Sequence, residues 1–348
     1  MNSAPSCGAR SPSGAMWPAS PMFGWRVKAM HRRSLLGALA LPWVASAQTA
    51  GFPSRSVRIV VPYGPGGSSD IVARLLAQHA SELSGQGFLV ENRGGGASVP
   101  GTQAVLSAPP DGYTVGTNDN ALVVNPSLLK EKPPYDVERD VTALGLAVTS
   151  PGLLLAHPSG TARDMAELVA EATTRPGLAV SHGGIGTPSH LAVVQMLLAT
   201  GRDFTPVGYR GGGPQLTGLV AGDVPYGIAA LSSSLGHVQS GRLRAIAVTG
   251  GARTPLLPEV PSMAEAGFPA VDVVGIWGFI APASLPPEIA ARLHDLLIAP
   301  AREAQLQAKL VAQGYAVVAS SPADYAAQLR REVAQWRAIV ARAVIVPE

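Results

Sequence analysis

The sequence predicts an α/β fold, in which short strands lead through glycine-rich turns into helices. Three stretches show this order, and their strands begin at Val57, Leu178 and Thr205. The first strand is a nearly continuous apolar run, which is typical of a strand buried on both faces of a parallel sheet. The helices after the first two turns repeat apolar residues at the 3.6-residue helical spacing. Each stretch therefore indicates a strand with a helix packed against it.

The first of these units, residues 58–77, contains the turn with the clearest chemistry. Pro62 ends the strand, and glycine allows positive φ angles and close approach of a ligand to the main chain at Gly64, Gly66 and Gly67. Ser68 or Ser69 can cap the following helix, whose first N–H groups and macrodipole favour an anion. A tight turn that only packs the helix on the strand is the alternative. The Lys-Ser/Thr pair of a phosphate-binding loop is absent, so we expect no nucleotide.

Composition and charge exclude several classes of partner. Five of the 26 Lys and Arg residues precede residue 48, whereas none of the 23 acidic residues does. The rest of the chain has 21 basic against 23 acidic residues, a net charge of −2, which gives no argument for nucleic-acid binding. The length of 348 residues suits two hydrophobic cores. The single cysteine, Cys7, precedes Met30, so we expect neither a disulfide nor a thiol nucleophile.

The beginning of the chain resembles an export signal. Arg32 and Arg33 precede an apolar run at 35–44, and Ala45-Ser46-Ala47 is a small-residue cleavage site. The apolar run is too short to span a bilayer. We therefore expect residues 1–29 to be a mis-called extension and residues 30–47 to be a signal peptide cut after Ala47, which places the product in the periplasm. The arginine pair leaves the twin-arginine route open beside the general secretory route.

Later segments predict further elements and a division into two domains. Apolar segments at 143–148 and 153–156 are split by Ser150-Pro151-Gly152, which we interpret as a crossing between domains, and Thr249-Gly250-Gly251 as the return. The predicted domains are 54–148 with 250–348, and 149–249. Further strands are predicted at 88–91, 113–117, 226–230, 243–248 and 273–280, and helices at 102–108, 162–173, within 255–267, and at 287–299 and 322–343.

Polar residues follow several predicted strands. Asn118 begins a cluster with Asp119 and Asn120 just past strand 113–117. Ligands bind beyond the carboxyl ends of strands in open α/β sheets, so this cluster is a candidate cleft wall, with an ordinary Asx turn as the alternative. In the second glycine turn we expect His190 to be a buried structural histidine rather than a ligand contact. In the third turn, Arg210 can either pair with a carboxylate or remain solvated.

Eight motifs follow one another along the chain, and together they resemble one family. They are VPYGPGGSSD at 61–70, VENRGG at 90–95, PDGYT at 110–114, GIGTPSHL at 184–191, GYRG at 208–211, GRLRAIAVT at 241–249, LPEVPSMAEAG at 257–267 and WGFIAP at 277–282. Their order is similar to that of the Bordetella uptake gene (Bug) solute receptors, the TctC-like substrate-binding proteins of tripartite tricarboxylate transporters. The resemblance covers nearly all of the chain after the signal.

The resemblance implies a two-domain Venus-flytrap fold of the type II periplasmic-binding class, each domain a mostly parallel sheet flanked by helices. It implies a receptor rather than an enzyme, which captures a di- or tricarboxylate or a related organic acid between the domains and delivers it to the transporter's permease subunits. We expect a monomer that uses no cofactor or metal and binds no nucleic acid. The ligand-binding residues that the resemblance implies are Tyr63, Gly66, Gly67, Ser68, Ser69, Gly186, Thr187, Ser189, Tyr209 and Gly211.

Two departures from the family pattern bear on the ligand. Gly64 replaces a usual proline, which loosens the first turn. Ala229 and Ala230 stand where many relatives carry Asp or Asn facing the ligand, which favours a plain mono- or dicarboxylate, or an aromatic acid, over an amino acid. A receptor that presents its ligand to a membrane sensor kinase would share the fold. An exported serine hydrolase is a weaker alternative, because the Gly-x-Ser-x-Gly spacing is absent around Ser68 and Ser69.

Overall fold

The computed structural model describes residues 51–342, and for residues 339–342 it describes only the backbone. The predicted extension, signal peptide and cleavage site therefore lie outside the described residues. Strands are β1 Val57–Val61, β2 Phe88–Asn92, β3 Thr114–Asn118, β4 Val141–Ala156, β5 Leu178–His182, β6 Phe204–Gly208, β7 Tyr226–Ala230, β8 Arg244–Val248, β9 Val274–Pro282 and β10 Ala316–Val317. Helices are α1 Ser68–Ser84, α2 Val99–Leu106, α3 Ala121–Leu128, α4 Val137–Asp140, α5 Met165–Thr174, α6 Pro188–Thr200, α7 Gly212–Ala221, α8 Leu231–Gln239, α9 Pro287–Leu297, α10 Ala304–Ala312 and α11 Pro322–Arg342.

The strands form one mixed sheet with the order β2-β1-β3-β9-β4-β7-β5-β6, to which β8 and β10 add by pairing with β4. The three strands at one end, β2, β1 and β3, run parallel, as do β6, β5 and β7 at the other. Between them β9 and β4 are antiparallel to their neighbours. The predicted α/β class is confirmed, with a mixed sheet whose two parallel sets repeat the same strand–turn–helix unit.

Strand β1 is buried on both faces, as its apolar run predicts. Ile59 and Val61 pack in one hydrophobic core with Leu76 of α1, whereas Val60 packs in another with Leu122 of α3. Because successive side chains of a strand point to opposite faces, a continuous apolar sequence is what two cores require. The carboxyl end of β1 therefore delivers the chain directly into the first glycine turn.

Strand β4 differs from the sequence prediction. Two segments split at Ser150-Pro151-Gly152 were expected, but a single strand runs through all three residues. Pro151 is the last β4 residue that pairs with β9, and Gly152 is the first that pairs with β7. A proline lacks a backbone donor, and it is tolerated here because the strand changes partner at this point.

Other elements were predicted less well. The helix expected within 255–267 is a series of turns, and α3, α4, α8, α10 and β10 were not predicted. Within the described part of the chain, no helix is long and apolar enough to cross a membrane. The turns after β1, β5 and β6 are all present and lead into α1, α6 and α7, and these three helix starts position the site.

Candidate functional site

The first turn is held by Asp70, three positions into α1. Its carboxylate accepts hydrogen bonds from the backbone N–H of Gly66 at 3.0 Å, from the amide of Asn92 at 2.9 Å and from the guanidinium of Arg74 at 2.9–3.0 Å. Burial alone pushes the pKa of Asp70 up, but these donors outweigh it and hold the pKa below its usual value. The turn is therefore fixed by a buried carboxylate, which also occupies the N–H of Gly66.

The start of α1 keeps three backbone donors free. Gly67 is the N-cap residue and has extended backbone angles. Because glycine has no side chain, no side-chain acceptor caps the N–H groups of the first turn. Within residues 51–342, no acceptor takes the backbone N–H of Gly67, Ser68 or Ser69. The first N–H groups of a helix carry a partial positive charge that favours an anion. These three donors are thus available to a ligand.

The two serines of α1 bond outward to other elements. The hydroxyl of Ser68 lies 2.7 Å from that of Ser232 in α8, and its carbonyl accepts a 2.6 Å hydrogen bond from Tyr315. The hydroxyl of Ser69 accepts a 2.9 Å hydrogen bond from the indole N–H of Trp277 in β9. These contacts fix the direction of the first turn of α1, so its free N–H groups keep one orientation.

In the second turn, between β5 and α6, most hydrogen-bond donors bond to acceptors within the same turn. Thr187 caps α6 by accepting from the N–H of His190 at 3.3 Å, and the hydroxyl of Ser189 accepts from the N–H of Gly183 at 2.9 Å. The N–H of Gly186 donates to Nδ1 of His190 at 3.3 Å. Among the described residues, the N–H of Ser189 has no acceptor. The hydroxyl of Thr187 donates to the carbonyl of Gly184 at 2.6 Å, so this turn offers a ligand the N–H and the hydroxyl of Ser189.

Two buried histidines accept hydrogen bonds from backbone N–H groups of the second turn. The rings of His182 and His190 lie 4.7 Å apart, and the Nδ1 of His182 accepts from the N–H of Gly184 at 3.2 Å. Burial lowers the pKa of His190 to about 4, and burial together with the neighbouring His190 lowers the pKa of His182 to about 3. Both are neutral near pH 7, so their role is structural, as expected for His190.

The third turn meets the first through glycine. Gly211, with φ of +125°, is the N-cap of α7, and the N–H of Gly64 donates to the carbonyl of Arg210 at 3.2 Å. A Cβ on Gly213 would overlap the carbonyl of Pro65, and a Cβ on Gly67 would lie 3.3 Å from the nitrogens of Gly212 and Gly213. The two backbones approach this closely because the contacting positions have no side chains.

These turns enclose one cavity. The space that the centre of a water-sized sphere can reach is about 50 Å³, several times the roughly 10–15 Å³ that one water needs, which suits a small molecule. The starts of α1, α6, α7 and α8 all reach it, and no Lys, Arg or His is among the described residues that line it. The lining residues are Tyr63, Gly67, Ser68, Ser69, Asp119, Ser150, Gly152, Gly183, Thr187, Pro188, Ser189, Ala192, Gly212, Gln215, Ala229, Ala230, Ser233, Val273 and Trp277.

A buried carboxyl and phenol form one wall of the cavity. Asp119 and Tyr63 are 4% and 6% exposed, and the Tyr63 hydroxyl donates to Oδ1 of Asp119 at 2.8 Å. Burial raises the pKa of Asp119 to about 6, against the opposing effect of the bond from Tyr63. Burial and the adjacent Asp119 raise the pKa of Tyr63 well above its usual value. Near pH 7 the pair is therefore a carboxylate and a neutral phenol.

The structure separates the predicted site residues into two groups. Six of them line the cavity, namely Tyr63, Gly67, Ser68, Ser69, Thr187 and Ser189. Five do not, and each has a physical reason. The N–H of Gly66 is taken by Asp70, and that of Gly186 by His190. Gly211 abuts the backbone of Gly64.

The other two residues outside the lining point elsewhere. The side chain of Asn118 donates to the hydroxyl of Tyr325 in α11 at 2.7 Å, whereas the next residue, Asp119, lines the cavity. Tyr209 lines a neighbouring groove of about 220 Å³ with Arg210 and His182. This groove shares Tyr63 and Gly183 with the cavity, so Tyr63 separates the two spaces.

Several lining residues were not predicted as site residues. Asp119 belonged to the predicted polar cluster, and period-two alternation after β3 was the signal that could have distinguished it from Asn118. Trp277 entered the sequence analysis only as the first residue of the WGFIAP motif, and Gln215 carried no local signal. Both reach the cavity, from β9 and α7, through contacts remote in sequence. Within residues 51–342, no three His, Cys, Asp or Glu side chains come together to hold a metal ion.

Comparison with known proteins agrees with this arrangement. Residues 72–344 match the model of the tripartite tricarboxylate transporter family receptor. A UPF0065 protein from the tcbD-tcbE intergenic region of Pseudomonas sp. (strain P51) is 33% identical, with 89% of this chain and 94% of the relative covered. BugT of Bordetella pertussis is 30% identical, with 83% of this chain and 89% of BugT covered.

Solved structures of periplasmic binding proteins are also similar to this chain. The R. palustris protein Rpa4515 with adipate has a TM-score of 0.80 and 31% identity, covering 84% of this chain and 97% of its own. MatC from Rhodopseudomonas palustris with bound malate has a TM-score of 0.78 and 28% identity, covering 83% and 100%. The periplasmic binding protein BugD has a TM-score of 0.80 and 28% identity, covering 84% and 98%. The chain therefore belongs to the tripartite tricarboxylate transporter receptor family, whose members are periplasmic solute-binding proteins and not enzymes.

Proposed function

We propose that this receptor binds a small organic carboxylate in the cavity and delivers it to the permease of a tripartite tricarboxylate transporter. One observation carries the proposal: the starts of α1, α6, α7 and α8 converge on a cavity lined by no basic side chain among the described residues. Partial positive charge at helix starts can balance a carboxylate without a cationic partner. The cavity is thus suited to an anion bound mainly by peptide N–H groups.

The energies are sufficient for a transport receptor. A dissociation constant near 1 μM corresponds to about −8 kcal/mol. Hydrogen bonds to a charged group contribute roughly 1.5–3 kcal/mol each, so four or five reach this value after losses from ordering. The free N–H groups of Gly67, Ser68, Ser69 and Ser189 provide four such donors. The relatives solved with adipate and malate support the same ligand class.

The ligand cavity would lie between two lobes, as the sequence indicates. We propose residues 54–148 with 250–348 as one lobe and 149–249 as the other, joined through β4 and the segment around Thr249. The hydroxyl of Thr249 accepts from the N–H of Gly152 at 2.7 Å and donates to the carbonyl of Val273 at 2.8 Å, which ties the two connections together. The bond from Gly64 to Arg210 would then join the lobes at the mouth of the cavity.

A proline substitution tests whether peptide N–H groups bind the ligand. Ser68 is the first residue of α1, and Gly67 before it has φ of −84° and ψ of 169°, angles that suit the residue before a proline. Ser68→Pro removes one free N–H, and Ser68→Ala removes only the hydroxyl. We expect Ser68→Pro to weaken binding of adipate or malate, measured by calorimetry, at least tenfold, and Ser68→Ala to weaken it only a few-fold.

Thermal unfolding of both variants without ligand is the control, and their melting temperatures should agree within a few degrees. Equal affinities for the two folded variants would show that the N–H of Ser68 takes no part in binding. Failure of the wild-type protein to bind any carboxylic acid would contradict the proposed function itself. Co-purification with the detergent-solubilised permease, in the presence of the bound acid, tests the transporter partner.

A further inference from the structure

Asp119 is an unusual residue for a carboxylate-binding cavity. It is 4% exposed, lines the cavity, and is the only Asp or Glu among the described residues that do so. No salt bridge joins it to a Lys, Arg or His in the described part of the chain. A buried carboxylate without a cation is costly, so its presence needs an explanation.

The hydrogen bonds of Asp119 satisfy only one of its oxygens. Oδ1 accepts from the hydroxyl of Tyr63 at 2.8 Å and from the N–H of Ala121 at 3.0 Å. No hydrogen bond reaches Oδ2 from another described residue. The titratable groups that face Asp119 are tyrosines: Tyr63 from the first turn, Tyr135 before α4 and Tyr325 from α11. All three are neutral near pH 7, as tyrosines usually are, and burial raises the pKa of each further.

Gln215, which also lines the cavity, carries a second acceptor without a donor among the described residues. Its amide nitrogen donates to the carbonyls of Ser181 at 3.0 Å and Ile228 at 2.8 Å, which fixes the orientation of the amide. Its Oε1 is buried and has no hydrogen-bond partner within residues 51–342. Buried polar atoms are almost always paired in native proteins. Of these two acceptors, Oδ2 of Asp119 is the one that a donor on a ligand in the cavity can reach, because Oε1 of Gln215 is buried.

We propose that Asp119 selects a carboxylic acid that also carries a hydrogen-bond donor, a hydroxyl or an ammonium group, on its carbon chain. The inference rests on the proposed function and narrows the ligand class. The acid's carboxylate lies against the free N–H groups of α1, and its donor reaches Oδ2 of Asp119. A plain diacid of the same chain length carries the same two carboxylates but offers no donor to Oδ2, and a buried acceptor left without a donor costs free energy. This reverses the preference for a plain acid that Ala229 and Ala230 suggested.

Matched acids test the proposal. Succinate, malate and aspartate share one four-carbon chain and differ only in a hydrogen, a hydroxyl or an ammonium at the second carbon. Glutarate and adipate form equivalent sets with their 2-hydroxy and 2-amino derivatives. We expect calorimetry at pH 7.5 to show that the wild-type protein binds the hydroxyl or amino member of at least one set ten times more tightly than the plain member.

The variant Asp119→Asn distinguishes recognition of the ligand's donor by Asp119 from a role of Asp119 in holding the fold together. Asparagine can keep an oxygen acceptor for Tyr63 and Ala121 but loses the negative charge. In this variant we expect the hydroxyl or amino acid to bind less than three times more tightly than the plain acid of the same set. The plain acid should bind at least as tightly as it binds to the wild-type protein. A purely structural role would weaken all members of a set equally. Thermal unfolding without ligand checks that the variant is folded, and Asp119→Ser provides a second variant if it is not.

Affinity against pH gives an independent measurement. Burial raises the pKa of Asp119 to about 6, so lowering the pH from 7.5 to 5 protonates it. The ratio of the wild-type affinity for the hydroxyl or amino acid to that for the plain acid should fall across this range. Because the acids themselves also titrate, the same ratio is measured in Asp119→Asn, where it should change less. Plain acids that bind as tightly as their derivatives, in the wild type and in Asp119→Asn alike, would overturn the inference and leave the proposed function intact. An absence of binding by every acid would overturn both.

Discussion

The backbone N–H of Gly64 donates a hydrogen bond to the carbonyl of Arg210, 3.2 Å away, and so joins the first glycine turn to the third. The two turns are separated by almost 150 residues of sequence and meet through main-chain atoms. Gly67 lies against Gly212 and Gly213, and Gly213 lies against the carbonyl of Pro65. A contact of this kind brings two helix starts to one cavity, because any larger residue would hold the helices apart.

Gly213→Ala should separate these turns. The added Cβ would overlap the backbone carbonyl of Pro65, which cannot move as a flexible side chain does. We expect urea unfolding to show a loss of about 1–3 kcal/mol in the free energy of unfolding. We also expect weaker binding of whichever of adipate and malate the wild-type protein binds more tightly, because the starts of α1 and α7 would no longer face one cavity.

Gly236→Ala is the matched control for this substitution. Gly236 lies in α8, is exposed, and a Cβ there would meet no atom within 4 Å. Replacing a glycine inside a helix by alanine should raise the free energy of unfolding by about 0.5–1 kcal/mol. A Gly213→Ala protein as stable as Gly236→Ala would mean that the close contact between the turns is absent in solution.

Asp70→Ala should loosen the first turn. The carboxylate is 4% exposed and accepts from Gly66, Arg74 and Asn92, so its removal leaves several donors without an acceptor. We expect a loss of about 2–4 kcal/mol in the free energy of unfolding, measured in urea. Hydrogen exchange should also become faster at Gly66, whose N–H is protected by this carboxylate.

Glu82→Ala is the control for Asp70, because Glu82 lies on the same helix and is exposed. Its hydrogen bond from Gln78 contributes little, so we expect a change within about 0.5 kcal/mol. The free energy of unfolding of Asp70→Asn should lie between those of Asp70→Ala and Glu82→Ala, since asparagine keeps an oxygen acceptor but loses the charge. Equal stability of Asp70→Ala and Glu82→Ala would contradict the role assigned to the buried carboxylate.

The buried histidines should make the protein less stable in mild acid. Their folded pKa values, about 3 for His182 and about 4 for His190, lie below the usual value of 6.5, so between about pH 6.5 and 4 the unfolded chain binds more protons. Stability is therefore full above pH 6.5 and falls as the pH drops, by about 1.4 kcal/mol per pH unit for each histidine. Urea unfolding from pH 7 to 5 measures this slope.

His190→Asn should reduce that slope. Asparagine can accept the hydrogen bond from Gly186 with its amide oxygen and does not titrate, so about half of the histidine contribution should disappear. His190→Phe is the comparison, because it removes both the acceptor and the proton site. It should show the same reduced slope with lower stability at every pH. A wild-type slope in His190→Asn would place the acid sensitivity in another group. Asp119 is not that group, because burial raises its folded pKa to about 6, which makes the folded state more stable as the pH falls.

The local elements of this fold were predictable from sequence because they depend on neighbouring residues. The apolar run of β1, the glycine turns and the amphipathic helices follow from side-chain period and backbone freedom. Gly201, for example, ends α6 with φ of 59°, as its position after the last apolar residue predicts. Strand β4 was predicted as two pieces because Ser150-Pro151-Gly152 has turn chemistry, which strand pairing on both sides overrides.

The site was predictable only in part, for a different reason. Which of two adjacent residues faces a cavity depends on the orientation of the strand end. Asn118 and Asp119 are neighbours, yet one bonds to Tyr325 and the other lines the cavity. Which N–H groups remain free depends on which side chains compete for them, and Asp70 and His190 occupy those of Gly66 and Gly186.

The sequence by itself determined the family resemblance and the glycine turns that lead into helices, and its first residues predict an export signal. These features are local, and each follows from the residues within one or two helical turns. Only the tertiary structure decided that the carboxylate of Asp119 and the side chain of Gln215 line the cavity. Residues from the first turn, α7 and β9 surround that space, and their hydrogen bonds join positions more than 50 residues apart, as between Tyr63 and Asp119 or Ser69 and Trp277.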